Sequence, residues 1–533
     1  MRISSRVKDL IIHVTLFTLA LVLRLPYLMQ YPVFRFDELG EDLRAYAIAK
    51  LGFTPLTSNA PFIGALYNYL AALSYLILNS VSAFRLLVAI TGVLTIPLLY
   101  ATSLRLTKSR STSLLAAILL AFSPMHILVS SHVAWSASLM PLLLLAAVYA
   151  FIVALESSKR KYWIISGVFL GLALQSHPSV LASYAGLLLA LYLLLGRGFL
   201  SDLRHNFKYV IAGFLAGYVN MVIYNVAVPL GSVTYAFHAK WTGLSSGLTL
   251  STYLRRLSFL VVEFASGLAA GVPVITLPYL LSTPAFYAVI ALAISLVAYG
   301  SVKSKLARAL VTYLAVSFLI LAVGTKGVMT LNPFGFAWGP HYLQQLLPLT
   351  YLLTAESVRA IYVWVSRRLR RRHVSIAAVV AVALLLTGWP FTNLIGVYKY
   401  MSTNGFTNEV FLSTVRSIKL SYGTEIPLFV GVSKNSPALL TLYMLSVLEG
   451  LHPKPDIKLV KEVSDKAVAR MLKEFIDSLS PGHEAVIIVR PDKKLLNELR
   501  SYLIYKGFKI TYFSIVKVGN QHPLYAVVAA GNV

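Results

Sequence analysis

The chain is dominated by apolar runs, each near the length of about 20 residues that a helix needs to cross a bilayer. Eleven qualify, near residues 10–29, 84–104, 113–129, 134–155, 162–176, 179–195, 209–229, 283–300, 309–324, 343–363 and 374–393. Hydrocarbon offers no partner to a backbone N–H or C=O, so runs of this kind must satisfy themselves as helices packed in a bundle. Composition agrees, with 57% hydrophobic and only 13% charged residues. Soluble domains carry about 25% charged residues, so too little polar material is present to coat a water-facing surface. The expected class is mainly α, a polytopic transmembrane helical bundle.

Charge orients the bundle. Residues 1–393 hold 30 Lys and Arg against 9 acids, and residues 394–533 hold 17 against 11. With a cytoplasmic N-terminus, twenty basic residues fall in the loops on that side and seven in the longer loops opposite, the partition expected of a membrane protein. The basic clusters are therefore loop anchors, and nucleic acid is not an expected partner. That partition requires two further apolar stretches, Pro61–Leu78 and Phe259–Leu281, to lie in or dip into the outer interface without crossing. The first run contains Arg24 and ends at Leu25-Pro26 without a small-residue cleavage pattern, so it is expected to stay as a span. With no Cys in the chain, disulfides and thiolate chemistry are excluded.

Beyond residue 393 the pattern changes to short β-rich runs alternating with amphipathic helical ones. Strands are expected at Pro427–Val432, Ala485–Arg490, Phe508–Val518 and Leu524–Ala530, and helices at 436–449, 464–479 and 493–506. The expected organisation is a transmembrane domain over 1–393, with a first outer loop at 30–83, followed by a small extracytoplasmic α/β domain over 394–533. Gly431-Val432-Ser433-Lys434-Asn435-Ser436 lacks phosphate-loop glycine spacing, which leaves acceptor docking or shielding of the membrane site as this domain's expected role.

Four of the nine acids of the membrane part, Asp37, Glu38, Glu41 and Asp42, lie within six positions of the first outer loop. Helix initiation explains Glu41 and Asp42, with Asp37 as N-cap and the others in the first turn. Asp37 is singled out because Phe34-Arg35-Phe36 would hold its carboxylate beside rings and a cation. Arg24, His126, His132, His177, Lys240, Lys326 and His341-Tyr342 project toward the same outer surface in this topology. An Arg inside a membrane is costly and marks a site. A carboxylate with several His and cations facing a lipid-bounded cavity suits transfer of a group from a phosphate-linked lipid. The cations would stabilise the departing phosphate and the carboxylate would take the acceptor's proton.

Several short landmarks resemble the membrane-embedded GT-C glycosyltransferases, and more narrowly their protein O-mannosyltransferase and aminoarabinose transferase branch. They are Phe36-Asp37-Glu38, the stretch from Pro61-Phe62-Ile63-Gly64 to Tyr69-Leu70, Phe84-Arg85-Leu86, Ser123-Pro124-Met125-His126, and His341-Tyr342-Leu343-Gln344-Gln345-Leu346-Leu347-Pro348. They run in family order along residues 10–393. The resemblance implies an inverting transfer from a polyprenyl (dolichyl-type) phosphate sugar, on the outer face, to a hydroxyl or amine of a protein, lipid or glycan acceptor. It places the first-loop acid on Asp37, as catalytic base or acceptor-orienting carboxylate, with Glu38 beside it, and a donor-phosphate ligand on His341 next to Tyr342. Arg24, His132, His177 and Lys326 join the expected substrate-binding set from topology alone.

Two departures qualify this. In many relatives an aromatic follows the Asp-Glu pair closely, whereas Tyr46 stands eight residues beyond Glu38, so Asp42 is a rival for the catalytic place. The turn Ser130-Ser131-His132-Val133-Ala134-Trp135 lacks the acid that oligosaccharyltransferases use there for a metal. No metal site is assigned and no cofactor is expected, which leaves room only for a divalent ion held by Asp37 and a His. The main non-enzyme alternative is a polytopic transporter or lipid flippase. Such carriers show internal repeats and mid-membrane breaks, whereas here the ionisable residues collect at the outer ends of spans.

Overall fold

The computed structural model describes the chain except for residues 1–4, 31, 33, 35, 239–246, 271–283, 325–342, 369–393, 396–397, 399–405, 433–436, 455–464, 480–483, 491, 517–524 and 533. In chain order the helices are α1 (Ser5–Arg24), α2 (Phe36–Leu51), α3 (Leu66–Leu78), α4 (Ser82–Thr107), α5 (Arg110–Ala121), α6 (Pro124–Ser131) and α7 (Met140–Ser157). Next come α8 (Arg160–Ser176), α9 (Val180–Leu195), α10 (Arg197–Gly217), α11 (Val219–Ala227), α12 (Gly231–His238), α13 (Leu250–Ala270), α14 (Pro284–Lys303), α15 (Lys305–Gly324) and α16 (Leu347–Arg368). The remainder holds α17 (Phe406–Tyr422), β1 (Leu428–Val430), α18 (Pro437–Leu448), β2 (Pro453–Lys454), α19 (Asp465–Asp477), β3 (Ala485–Val489), α20 (Lys493–Tyr505), β4 (Phe508–Val516) and β5 (Tyr525–Asn532).

These elements form two compact units. One comprises Met1–Leu28, Phe53–Ala71 and Phe84–Tyr400; the other comprises Met29–Gly52, Ala72–Ala83 and Met401–Val533.

The first unit is helical. Among the described residues three helices are long and apolar enough to cross a membrane, Ser82–Thr107, Ser136–Ser157 and Lys305–Gly324, or up to five if each of two bent pairs counts as one span. These are the apolar helices of a multi-pass membrane protein, and Leu10, Ile11, Val14 and Phe17 along α1 are exposed. The expected span 374–393 lies outside the described residues. Two others are not straight. The run at 113–129 is α5 and α6, bent by 63°, because Pro124 cannot donate to the preceding turn and holds Ser123 extended at φ −67, ψ 112. The run at 209–229 breaks at Tyr218, where α10 and α11 meet at 73°. Within the Pro61–Leu78 stretch only the 13 residues of α3 are helical, about 20 Å at 1.5 Å per residue, against a hydrocarbon layer of about 30 Å.

Lipid gives helices little hydrophobic reason to associate, so close backbone approach carries the packing. Gly167 and Gly171 on α8 meet Gly213 and Gly217 on α10: a methyl on any of the four would stand 2.1 to 2.3 Å from a carbonyl of the opposite helix. Gly186 on α9 is pressed against the Tyr313 carbonyl of α15 in the same way.

The second unit carries a five-stranded sheet in the order β2-β1-β3-β5-β4. β1 is parallel to β2 and β3, and β5 is antiparallel to β3 and β4. β3 is buried along its whole length, as its uninterrupted Ala-Val-Ile-Ile-Val requires. Phe429, Ile487 and Val528 from the strands pack with Leu472 and Ile476 of α19 and Leu503 of α20. The four expected strands and three expected helices are present within a few residues. The short β2 and the helix α17 come in addition.

Candidate active site

In the first unit, α1 ends on Arg24, whose side chain is fully buried. Its Nη1 donates to the Ala20 carbonyl and, at 3.3 Å, to the Ala121 carbonyl; Nη2 donates to the Leu120 carbonyl and lies 2.8 Å from His126 Nδ1. Leu120 and Ala121 are the last residues of α5, so the guanidinium sits on the negative end of that helix, where a cation is favoured. At the α5–α6 break the Arg24 guanidinium takes the Ala121 carbonyl and shares the Leu120 carbonyl with the Ser123 N–H.

A guanidinium can only donate. His126 Nδ1 must therefore accept, which leaves the proton of the neutral ring on Nε2. That Nε2 is buried with no hydrogen-bond partner among the described residues. Ser123 caps α6 by accepting from the His126 backbone N–H at 3.3 Å, which fixes the base of the side chain. His132, closing α6, donates from Nε2 to the Arg24 carbonyl at 2.8 Å. Arg24 and His132 are thus brought together, and His126 joins them.

The segment after His341-Tyr342 locks onto the same region. Gln344 accepts from Ser130 Oγ at 3.0 Å and donates to the Ala137 carbonyl at 2.7 Å. Gln345 is buried, and both of its amide atoms lack a partner among the described residues. His177 is engaged elsewhere. Its Nδ1 accepts from the backbone N–H of Ser179 at 3.2 Å, at the start of α9, and the Phe62 ring meets its imidazole edge-on. Lys240, Lys326, His341 and Tyr342 lie outside the described residues.

In the second unit, α2 begins at Phe36, so Asp37 and Glu38 occupy the first turn of the helix and Asp37 does not act as the residue before it. Asp37 is exposed, whereas Glu38, Glu41 and Asp42 are buried. The Arg35 position and the Phe36 side chain lie outside the described residues; Phe34 is buried. The lead-in to α2 is fixed by Asn408 of α17, which donates from Nδ2 to the carbonyls of Met29 and Pro32, both at 2.9 Å, and accepts from Phe34 N–H at 3.0 Å. The far end of α2 is held by Tyr46, T-shaped against Tyr75, and by Lys50 over the Tyr75 face. Tyr75 Oη in turn donates to the Leu448 carbonyl at 2.9 Å.

Two residues escaped the sequence reading. Asn408 carries no motif. Glu263 is a fully buried carboxyl on α13 with no partner at either oxygen among the described residues; a lone acid inside an apolar run is a site signal. One turn on, a methyl at Gly267 would meet Met125 Sδ at 2.5 Å, so α13 lies against the helix that carries His126. Among the described residues no three His, Asp or Glu side chains gather as a metal-binding group.

Residues 61–224 match the family described as dolichyl-phosphate-mannose-protein mannosyltransferase. No curated protein sequence matches significantly. The chain is similar in fold to ArnT from Cupriavidus metallidurans. Against the crystal structure bound to undecaprenyl phosphate, the TM-score is 0.58 at 14% identity over 97% of each chain. Against the apo crystal structure it is 0.59 at 13% identity, over 99% of this chain and 98% of that one. The GT-C resemblance read from the landmarks therefore holds, and the chain shares the fold of ArnT.

Proposed function

We propose that this chain is a membrane glycosyltransferase that moves a sugar from a polyprenyl-phosphate donor to a hydroxyl or amine of a protein, lipid or glycan acceptor, with inversion at the anomeric carbon. The observation that carries this reading is the fold correspondence over 97% of both chains with a protein solved with undecaprenyl phosphate. The family match over 61–224 supports the same donor class. The charge asymmetry of the loops supports catalysis on the outer face, with the C-terminal sheet outside the cell membrane.

Asp37 is the base in this reading, since it is the accessible acid of its helix while its three neighbours are buried. The acceptor oxygen or nitrogen attacks the anomeric carbon on the face away from the phosphate. The bond from that carbon to the phosphate oxygen breaks with its electron pair staying on oxygen, and the acceptor proton passes to the Asp37 carboxylate. Glu38 helps to hold the base, and the Glu41 and Asp42 carboxylates serve the helix. The charge that grows on the departing phosphate is met by the His126 Nε2–H under the field of Arg24, with His132 bracing that pair, and by Lys326, His341 and Tyr342.

The test is transfer by the purified protein in lipid nanodiscs supplied with labelled polyprenyl-phosphate sugars and acceptors. Sugar-dependent release of polyprenyl phosphate, abolished by Asp37→Asn with donor binding retained, is the expected result. Translocation of the donor lipid across a bilayer with no sugar transferred from any donor would overturn the reading in favour of a carrier.

A further inference from the structure

A concavity lies within the first unit, at the end of α4 remote from Arg85. It is a cavity of about 500 Å³ where the ends of α4, α14, α15 and α16 meet. Arg85 and Thr107 stand near opposite ends of the 26-residue α4, about 33 Å apart at 1.5 Å per residue, which is the thickness of the hydrocarbon layer.

Four cations line this cavity, Lys303, Lys305, Arg359 and Arg367, against one acid, Glu356. Glu356 is fully buried and already satisfied. It accepts from Ser304 Oγ at 2.6 Å and takes both Nε and Nη2 of Arg359, at 2.7 and 2.5 Å. That pair neutralises Arg359 and fixes its guanidinium. Lys303, Lys305 and Arg367 have no carboxylate within ion-pair distance among the described residues. Three uncompensated like charges around one cavity repel each other, and an anion in the cavity relieves that repulsion.

The remaining wall is aromatic. Tyr299 and Trp364 meet edge-to-face at 5.6 Å. The Tyr299 hydroxyl is buried without a hydrogen-bond partner among the described residues, which leaves a donor for a ligand. Trp364 is exposed next to it, and so is the neighbouring Val302. An indole beside a cluster of cations is the composition found at the headgroup level of a bilayer, and about 500 Å³ is in the range of small-molecule sites.

We propose that this cavity binds the phosphate headgroup of an anionic membrane lipid, with Lys303, Lys305 and Arg367 on the phosphate, the Tyr299 hydroxyl as a further donor, and the lipid stem along Trp364. Basic pockets between membrane helices recognise anionic lipids by the same chemistry. Arg85, at the other end of α4, donates to the Leu28 carbonyl just beyond Arg24 at 2.9 Å, so the length of α4 separates this site from the proposed phosphate-binding residues and the two readings stand or fall separately.

The full chain, reconstituted in phosphatidylcholine bilayers doped with phosphatidylglycerol and re-extracted in mild detergent, is assayed by mass spectrometry for bound lipid. Wild-type protein is expected to retain phosphatidylglycerol about tenfold above its share of the bilayer, and the Lys303→Gln, Lys305→Gln, Arg367→Gln triple variant to lose that enrichment. A control triple variant at an equally basic exposed turn, Lys159→Gln, Arg160→Gln, Lys161→Gln, is expected to keep it. Should the first triple variant not fold, single Lys303→Gln and Arg367→Gln variants are each expected to lower the enrichment at least about twofold. No enrichment in the wild type, or equal loss in the control, overturns the proposal. Displacement of the lipid by millimolar inorganic phosphate overturns it in favour of a free-phosphate site.

Discussion

Arg24 and His126 meet at 2.8 Å with the imidazole Nδ1 as acceptor, a contact between the end of the first helix and the first turn of a helix that begins a hundred residues later. It sets the tautomer of the ring and leaves the Nε2–H pointing onward. The cation also bonds the last two carbonyls of α5, so one side chain both ties down a helix end and prepares a donor.

Arg24→Met should therefore cost about 2–4 kcal/mol of stability, because the Ala121 carbonyl and His126 Nδ1 lose the guanidinium donor together. Arg24→Lys keeps the charge, but an ammonium cannot reproduce the forked geometry, so the variant should fold with weakened donor binding. Thermal unfolding and donor titration in nanodiscs check the pair. Wild-type behaviour of Arg24→Lys in both would show that charge alone is used.

Asp37→Asn is expected to lower transfer about a hundred- to ten-thousandfold, the usual worth of a general base, with the donor affinity unchanged. Asp42→Asn, at a buried position of the same helix, should act mainly on stability and leave transfer within several-fold. Steady-state rates of the two variants decide between them, and the reverse ranking would move the catalytic role to Asp42.

Asn408→Ala removes three hydrogen bonds that hold the lead-in to α2, at roughly 1 kcal/mol each. Asn408→Asp keeps only the acceptor and turns a carboxylate toward two carbonyls, so it should be at least as harmful. Both should speed amide exchange at Phe34 and reduce turnover. Unchanged exchange at Phe34 would show that the segment is held by other contacts.

Gly213→Ala would set a methyl 2.1 Å from the Ile164 carbonyl, which forces α8 and α10 apart and should lower the thermal midpoint sharply. Gly198→Ala, in the same helix with nothing within 4 Å, should stabilise by up to about 1 kcal/mol through helix propensity. If the two variants unfold alike, close helix approach is not what Gly213 provides.

Glu263 places a carboxyl in the interior with no partner at either oxygen among the described residues. Glu263→Leu should raise stability by about 1–3 kcal/mol by removing the desolvated polar group. A fall in the thermal midpoint would show that the carboxyl has a ligand or water partner in the membrane.

Much of this architecture was legible in the chain. The membrane bundle follows from apolar length, because hydrocarbon leaves helices as the way to satisfy the backbone. The α/β alternation after residue 393 follows from periodicity, and β3 and α20 fall where the pattern puts them. Pro124 announced its break only in hindsight, because periodicity runs unbroken across a bend. The acid-rich stretch was visible, yet not which acid stays accessible, because burial of Glu38, Glu41 and Asp42 depends on what packs around their helix.

The sequence by itself determined which segments are apolar enough for a membrane and the residue types available for chemistry, since both follow from local composition. Tertiary structure alone decided that Arg24 would meet His126 and that Asn408 would grip the backbone ahead of Asp37. Hydrogen bonds between residues about a hundred or several hundred positions apart leave no periodic trace in the chain, and they form only once packing has brought distant helix ends to within 3 Å.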